Sequence, residues 1–138
     1  MNVQNRKLNV TIEWEKAQEA MREAEVLFAQ HLPAGSISRA YYGAFHAGKA
    51  LLLTEGIEIR SHQALGRLLS LHFVKTGRFD TRFARIVSKT QKFREEADYT
   101  AEAVFTDANA AECVQEVKEW LEAVRRYLHQ QSYNLSSD

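Results

Sequence analysis

The scarcity of helix-breaking residues constrains the fold of this chain more than any other feature. One proline and six glycines are spread over 138 residues. A β-rich fold of this size needs many turns, so this composition favours long helices joined by short connections. The length is that of one domain. We therefore predict an all-α antiparallel bundle of about five helices, with residues 1–138 forming a single domain.

Apolar periodicity and helix-capping residues predict where these helices lie. The predicted bounds are 11–31, 36 or 38 to 55, 61–76, 80–98, and 106 or 107 to 130. Ser, Asp or Thr stands at each of the last four starts, where a side-chain oxygen can accept a hydrogen bond from the first turn. Gly56 and Gly77 follow two of the predicted ends. The core is expected within residues 11–130, and the tail 131–138 is expected to be frayed.

Composition excludes several classes of protein. No stretch approaches the roughly 18 consecutive apolar residues of a membrane-spanning helix. The first ten residues lack the apolar run of a secretory signal, so we expect a cytoplasmic protein with no membrane partner. Cys113 is the only cysteine, which excludes an intrachain disulfide and a thiolate metal cluster. The histidines lack the spacing of a di-iron bundle, and we therefore expect no metal and no cofactor.

The formal net charge is zero, but the charges are strongly segregated along the chain. Residues 60–94 contain nine basic residues and one acid, whereas residues 95–122 contain nine acids and one base. One interpretation is two antiparallel helices that attract each other along their exposed edges, with each pair contributing about 0–1 kcal/mol. The other is a basic face that contacts phosphates.

The second predicted helix carries polar residues on a face that is not a normal solvated face. Arg39 and His46 are seven residues apart and point the same way, about 10 Å apart along the axis. Tyr42 lies between them, and Ala50 and Leu53 share the face. Either the helix is half-buried with its Arg and His tied to neighbouring acids, or this face forms a cleft or a dimer surface. A helix that is apolar nearly all round is usually central or at an interface.

Three other aromatic residues near this helix receive simpler interpretations. Tyr41 and Phe45 fall on its apolar side and are expected in the core. His62 follows the capping Ser61 in the first turn of the next helix. An anion can bind at such a helix start, but His62 is interpreted here as a capping or surface residue.

The fourth predicted helix places a charge in its apolar sector. Arg94 lies about 20° around the helix axis from the apolar Phe83. A guanidinium cannot shed its charge, so an inward-pointing Arg needs a partner. Asp98 is four residues on and on the same side. The sequence therefore predicts a buried Arg94 that either forms a structural pair with Asp98 or holds an anion.

Three segments of the sequence resemble one known family. Ser38-Arg39-Ala40-Tyr41-Tyr42-Gly43-Ala44-Phe45-His46-Ala47-Gly48-Lys49-Ala50-Leu51-Leu52 resembles the signature helix of the HEPN domains (higher eukaryotes and prokaryotes nucleotide-binding). Ser61-His62 and the stretch from Phe93 to Tyr99 resemble later family blocks in the same order. The resemblance covers roughly residues 13–128. It implies a small homodimeric helical bundle, a minimal nucleotidyltransferase partner in a toxin–antitoxin-like module, and for many members a metal-independent endoribonuclease activity on RNA.

The resemblance also implies where a functional site lies. Arg94 occupies the position of the family's catalytic Arg, and Tyr99 stands where a His is expected. The family's catalytic pattern is an Arg followed, after four to six residues, by a His. Arg39 and His46 fit this pattern, with six residues between them, but lie in the second helix. The candidate catalytic residues are thus Arg94, Tyr99, Arg39 and His46. The candidate nucleotide- or RNA-binding residues are Arg39, Tyr42, His46 and Arg94, with Asp98 in support.

The departure at Tyr99 leaves the activity open at this point. His exchanges protons near neutral pH, whereas Tyr has an ordinary pKa near 10 and is a poor base. The main hypothesis is a protein that binds RNA or a nucleotide, with ribonuclease activity as an extension. The alternative is a non-catalytic adaptor, or a dimeric structural module, that docks a nucleotidyltransferase partner.

Overall fold

The computed structural model describes residues 2–99 and 104–135, and in these ranges the chain is an all-α bundle without strands. The helices are α1 (Val3–Ala29), α2 (Pro33–Leu53), α3 (His62–Leu69), α4 (Thr81–Tyr99) and α5 (Asp107–Gln130). A π-helical turn, Ser70–Val74, continues α3. The prediction of five helices in an all-α bundle is confirmed. No helix in the described ranges is both long and apolar enough to cross a membrane.

Side-chain caps begin three of the helices as predicted. The Ser61 hydroxyl accepts a hydrogen bond from a backbone N–H three residues on, and Thr106 does so within a full capping box. Asp80 accepts from the N–H two residues on. Gly56 and Gly77 have φ values of 73° and 81°, which glycine adopts without strain. Both glycines therefore turn the chain directly after a helical segment.

The first two helices begin earlier than predicted. Helix α1 begins at Val3 rather than Thr11, because the Asn2 side chain caps it and Val10 is completely buried. Helix α2 begins at Pro33 rather than at a serine. Proline at the first helical position has its φ already set and has no N–H to leave unsatisfied. The Pro33 that separates the two helices therefore also starts the second one.

The chain beyond α5 also differs from the prediction. Leu135 is 8% exposed and belongs to the main hydrophobic core, and Tyr133 packs against that core. The expectation of a frayed tail is therefore wrong for residues 131–135. The rest of that predicted tail, residues 136–138, lies outside the described residues. The core extends past the predicted range at both ends, since it also includes Val10.

Helix α2 is the central helix of the bundle. It packs against α1, α3, α4 and α5. The indole Nε1 of Trp120 on α5 donates to the Ala44 carbonyl at 3.1 Å. A Cβ on Gly48 would lie 2.8 Å from a Leu65 methyl group, so glycine is what allows α3 to approach α2 closely. A helix that is apolar nearly all round was expected to be central or at an interface; α2 is central, and its residues consequently face four neighbouring helices.

Some of the basic side chains in residues 60–94 form ion pairs with acids of α5. Lys89 lies 2.5 Å from Glu112 and 2.6 Å from Glu116, and Arg82 lies 2.7 Å from Glu119. These contacts join α4 to α5, as the interpretation based on attracting helix edges predicts. Five other basic residues are exposed and make no ion pair with a described residue: Arg60, Arg67, Lys75, Arg85 and Lys92.

Candidate functional site

Arg94 is buried among aromatic rings. It is 7% exposed, which confirms the burial predicted from the helix period. Its guanidinium carbon lies 5.0, 5.8 and 5.6 Å from the ring centroids of Tyr41, Tyr42 and Tyr99. Its Nη1 donates to the Tyr99 hydroxyl at 3.3 Å. The electron-rich faces of the tyrosine rings stabilise the buried charge.

The carboxylate of Asp98 contributes less to Arg94 than the sequence predicts. Its Oδ2 lies 3.8 Å from Arg94 Nη1, beyond hydrogen-bonding distance, and the Asp98 side chain is 32% exposed. Oδ2 accepts instead from the Ser38 hydroxyl at 3.3 Å. The Arg94 Nε is buried and has no hydrogen-bond partner among the described residues. The predicted pair exists, but it leaves donor capacity on the guanidinium unused.

His62 completes this site from the start of α3. Its ring stacks on Phe45 at a centroid distance of 4.2 Å, and its Nδ1 lies 2.5 Å from the Tyr41 hydroxyl. Burial lowers the pKa of His62, and the positive charges of Arg94, His46 and Lys49 lower it further. His62 is therefore mainly neutral at pH 7.

Tyr41 is the buried centre around which these side chains meet. It is completely buried, as predicted for a core residue, yet its ring contacts both Arg94 and His62. Burial raises the pKa of Tyr41 to about 12, although the nearby Arg94 charge acts in the opposite direction. Its hydroxyl is consequently protonated at neutral pH. The site, called here the tyrosine–arginine cluster, consists of Tyr41, Tyr42, His62, Arg94 and Tyr99.

The interpretation of His62 as a capping or surface residue is wrong. Ser61 is the cap, while the His62 ring is held between α2 residues. Helical periodicity could not show this, because His62 belongs to one helix and its ring contacts belong to another. One signal was available, since Ser61-His62 is among the segments that resemble family blocks.

Arg39 and His46 lie on α2 beside the cluster, and both are held by acids of α1. Arg39 Nη1 is 3.6 Å from Glu23, and His46 Nδ1 is 2.7 Å from Glu13. This agrees with the interpretation in which a half-buried helix ties its Arg and His to neighbouring acids. A surface groove of about 380 Å³ nevertheless runs over this region. The groove is lined by Lys16, Glu19, Ala20, Glu23, Arg39, Tyr42 and His46.

Tyr42 connects the groove with the cluster. The Arg39 guanidinium carbon lies 4.5 Å from the Tyr42 ring centroid, and the Arg94 guanidinium carbon lies 5.8 Å from it. Arg94, Tyr99, Tyr42 and Asp98 thus lie together in the structure, and Arg39 joins them through Tyr42. His46 differs, because its Nδ1 is occupied by the carboxylate of Glu13.

Glu13 is a buried carboxylate that orders the α1 side of the groove. Burial by itself raises the pKa of Glu13, but the hydrogen bond from His46 and the charge of Lys49 outweigh it. The pKa therefore lies below its ordinary value. Lys49 Nζ lies 3.4 Å from the carboxylate. The Lys49 charge is consequently compensated, and the His46 imidazole is bonded to the same carboxylate, whereas the guanidinium of Arg94 has no tightly bound acid.

The cluster offers chemistry suited to a phosphate group. It combines a fixed positive charge, a neutral imidazole and tyrosine hydroxyls within one contact network. Arginine donors match phosphate oxygens, and histidine can exchange protons near neutral pH. The described residues contain no group of three or more His, Cys, Asp and Glu side chains placed to hold a metal ion.

Known proteins resemble this chain over most of its length. A family model described as HEPN domain matches residues 12–127. A Methanocaldococcus jannaschii protein named "Putative toxin MJ0605" is 32% identical over 83% of this chain and 84% of its own length. "Putative toxin MJ0142" of the same organism is 27% identical over 83% of this chain and 78% of its own length. "UPF0332 protein PH1297" of Pyrococcus horikoshii is 39% identical over 54% of this chain and 52% of its own length.

These matches include the elements that build the site. The family model runs from within α1 to within α5 and so spans α2, α3 and α4, which carry the tyrosine–arginine cluster. The resemblance noted over roughly residues 13–128 is thereby confirmed. With a family match over most of the chain and a relative of 32% identity, this protein belongs to the HEPN domain family.

Proposed function

We propose that this protein is a toxin-type HEPN protein that binds RNA at the tyrosine–arginine cluster and cleaves it without a metal ion. Family membership and the two relatives that carry toxin names support the general class. In this proposal the protein acts in the cytoplasm as a homodimer. A minimal nucleotidyltransferase serves as the partner that restrains it.

The environment of Arg94 carries the proposal. The guanidinium is buried, one of its nitrogens lacks a partner among the described residues, and its nearest carboxylate is at 3.8 Å. A purely structural buried arginine is normally matched by a closely bonded acid. Arg94 is held mainly by tyrosine rings instead, so it retains donors and charge for an anionic ligand. His62 lies in the same network through Tyr41.

The proposed reaction is the transfer of a phosphate within the RNA strand. The ribose 2′-oxygen attacks the adjacent phosphorus, the bond from phosphorus to the 5′-oxygen breaks, and the products are a 2′,3′-cyclic phosphate and a 5′-hydroxyl. One proton leaves the 2′-oxygen and one reaches the 5′-oxygen. Arg94 stabilises the additional negative charge on the phosphate. His62 is the member of the cluster able to exchange a proton near neutral pH.

The unpaired basic residues of α3 and α4 provide contacts for the rest of the strand. Ser88 Oγ lies 3.6 Å from the position of a Cβ on Gly66, so the two helices touch there. Arg67 is adjacent to Gly66, and Arg85 is one turn from Ser88. Both are exposed without an ion pair to a described residue. In the proposal, these two unpaired cations contact phosphates of the strand outside the cluster.

The decisive experiment measures cleavage of a single-stranded RNA by the purified protein in the presence of a chelator. His62→Gln is expected to reduce cleavage by about 10²-fold or more, the usual contribution of a proton-transferring side chain. His46→Gln is the matched control, because its imidazole is bonded to Glu13, and it is expected to remain active. Circular dichroism of both variants checks that the fold is retained. Activity that disappears with chelator and returns with Mg²⁺ would contradict the mechanism.

RNA binding is tested separately from cleavage through its dependence on salt. The logarithm of affinity should fall linearly with the logarithm of salt concentration, with a slope of about −0.7 per phosphate contact on single strands. Replacing Arg67 and Arg85 together by alanine should make the slope less negative by about 1.4. The control replaces Arg82, which is paired with Glu119, and should change the slope little. An affinity that does not change with salt would exclude phosphate contacts.

A second candidate function follows from Tyr99. Its side chain is 76% exposed and takes the place of the histidine that the family resemblance implies. In the alternative proposal the protein cleaves nothing and serves as an adaptor that docks the nucleotidyltransferase. Copurification with a nucleotidyltransferase encoded beside it, together with no RNA cleavage, would favour this adaptor. Cleavage that depends on His62 would exclude it.

A further inference from the structure

We infer that Tyr41 is a positioning residue that donates a hydrogen bond to Nδ1 of His62 and so places the hydrogen of the neutral imidazole on Nε2, facing the ligand. This inference rests on the proposed function only for the identity of the ligand. It assigns His62 the donor half of the proton exchange: its Nε2–H bonds to the phosphate group, and this hydrogen is the one that passes to the 5′-oxygen as the bond from phosphorus breaks. An imidazole with the opposite tautomer would present a lone pair at Nε2 and would act as a base there.

Packing fixes the orientation of the His62 ring. Phe45 stacks on one of its faces, and the Tyr42 ring meets it edge-on at an interplanar angle of 85°. Tyr41 is completely buried, and its hydroxyl lies 2.5 Å from Nδ1. A ring held on two sides and bonded through Nδ1 has little freedom to turn. Nε2 is therefore the nitrogen available to a ligand, and it has no hydrogen-bond partner among the described residues.

Arg94 decides which of the two groups donates. A guanidinium has donors only. Arg94 lies against the Tyr41 ring, and its positive charge favours an arrangement in which the hydroxyl oxygen, not the hydroxyl hydrogen, faces the guanidinium. The hydroxyl hydrogen is then free to point to His62. Burial keeps Tyr41 protonated at neutral pH, since its pKa is raised to about 12, and leaves His62 mainly neutral. A neutral imidazole that accepts at Nδ1 carries its hydrogen on Nε2.

The charges around the imidazole act in the same direction. Arg94 on α4 and Lys49 and His46 on α2 all disfavour the protonated ring, whereas Glu95 on α4 favours it. A phosphate that binds here would meet the Arg94 guanidinium and the Nε2–H of His62 together. Two donors converging on one anion give both charge stabilisation and orientation.

The experiment determines the tautomer of His62 by ¹⁵N nuclear magnetic resonance of the imidazole ring in the absence of RNA. At pH 7.5 the wild-type ring should carry its hydrogen on Nε2. In Tyr41→Phe, which retains the aromatic ring, the neutral imidazole should become a mixture of two tautomers, one with its hydrogen on Nε2 and one with its hydrogen on Nδ1. Tyr42→Phe is the matched control, because Tyr42 contacts the same imidazole without a hydrogen bond, and it should keep the wild-type tautomer. A wild-type hydrogen on Nδ1, or an unchanged tautomer in Tyr41→Phe, would overturn the inference.

The functional measurement separates this inference from the proposed function. Tyr41→Phe should slow RNA cleavage by about tenfold, less than the roughly 10²–10⁴-fold contribution of a complete proton-transferring group. If the tautomer changes as expected but the wild-type protein neither binds nor cleaves RNA, the ribonuclease proposal fails and the role of Tyr41 stands. If RNA is cleaved and Tyr41→Phe leaves both tautomer and rate unchanged, Tyr41 has no positioning role.

Discussion

Replacing Arg94 by alanine tests whether tyrosine rings or the Asp98 carboxylate stabilise its charge. The side chain is 7% exposed, and three tyrosine ring centroids lie within 6 Å of its guanidinium carbon. Asp98 is more distant and partly solvated. If the tyrosine rings stabilise the charge, replacing Arg94 should cost more stability than replacing Asp98. If the Asp98 carboxylate stabilises it, the two losses should be similar.

The expected magnitude follows from these contacts. A cation–π contact contributes about 0.5–1 kcal/mol when exposed and about 2 kcal/mol when desolvated, and the three contacts here overlap. We therefore expect Arg94→Ala to lower the free energy of unfolding by about 2–4 kcal/mol. Asp98→Asn should change it by only about 0–1 kcal/mol, as is usual for a partly exposed pair. A fully buried ion pair would instead lose about 3–5 kcal/mol on removal of either partner.

Urea denaturation followed by circular dichroism measures both free energies. The control is Arg85→Ala, since Arg85 lies on the same helix, is exposed and makes no ion pair with a described residue. That variant should remain within about 0.5 kcal/mol of wild type. Equal losses for Arg94→Ala and Asp98→Asn would refute the role of the tyrosines. An Arg94→Ala variant as stable as wild type would refute the buried-charge argument altogether.

Three further predictions follow from other parts of the molecule. The pKa of Glu13 is lowered in the folded state, so its contribution to stability is present above the ordinary value of 4.5 and is lost as the pH falls through the folded-state pKa. In Glu13→Gln the free energy of unfolding, measured by urea titrations at several pH values, should fall less steeply as the pH is lowered. An unchanged fall at acid pH would exclude Glu13 as its source. Gly48→Ala should destabilise the protein by about 1–3 kcal/mol because its Cβ would lie 2.8 Å from a Leu65 methyl group. Gly66→Ala, with 3.6 Å of clearance, should be neutral or slightly stabilising in the same melts. Sedimentation at micromolar concentration should give twice the mass of one chain, and a wild-type monomer would contradict the homodimer. If the groove face lies at the dimer interface, Arg39→Glu should weaken the dimer.

The local structure followed from the sequence wherever short-range interactions determine it. Ser61, Asp80 and Thr106 were predicted as caps because a cap bonds to residues two or three positions away. The inward position of Arg94 followed from the helix period alone. The predicted start of α1 was wrong, because Val10 becomes a core residue only through its packing with other helices.

The segregation of basic and acidic residues was visible in the sequence, but the sequence did not show which basic residues form ion pairs. Periodicity could not show that Lys89 meets two acids of α5 while Arg85 meets none. That difference depends on which side of α4 faces α5 and which faces solvent. Composition therefore indicated a strong basic segment, and the packing of the helices divided it into paired residues and residues free to contact a ligand.

The functional site shows most clearly what required the tertiary structure. From the sequence, Arg39 and His46 share one face and Arg94 and Tyr99 share one helix end, because such relations repeat within a single helix. The meeting of His62 with Tyr41 joins residues 21 positions apart on two different helices. No helical period extends across the loop between them. The contact exists because Gly48 lets α3 pack closely against α2, and that approach brings a histidine at a helix start onto the tyrosines beside Arg94.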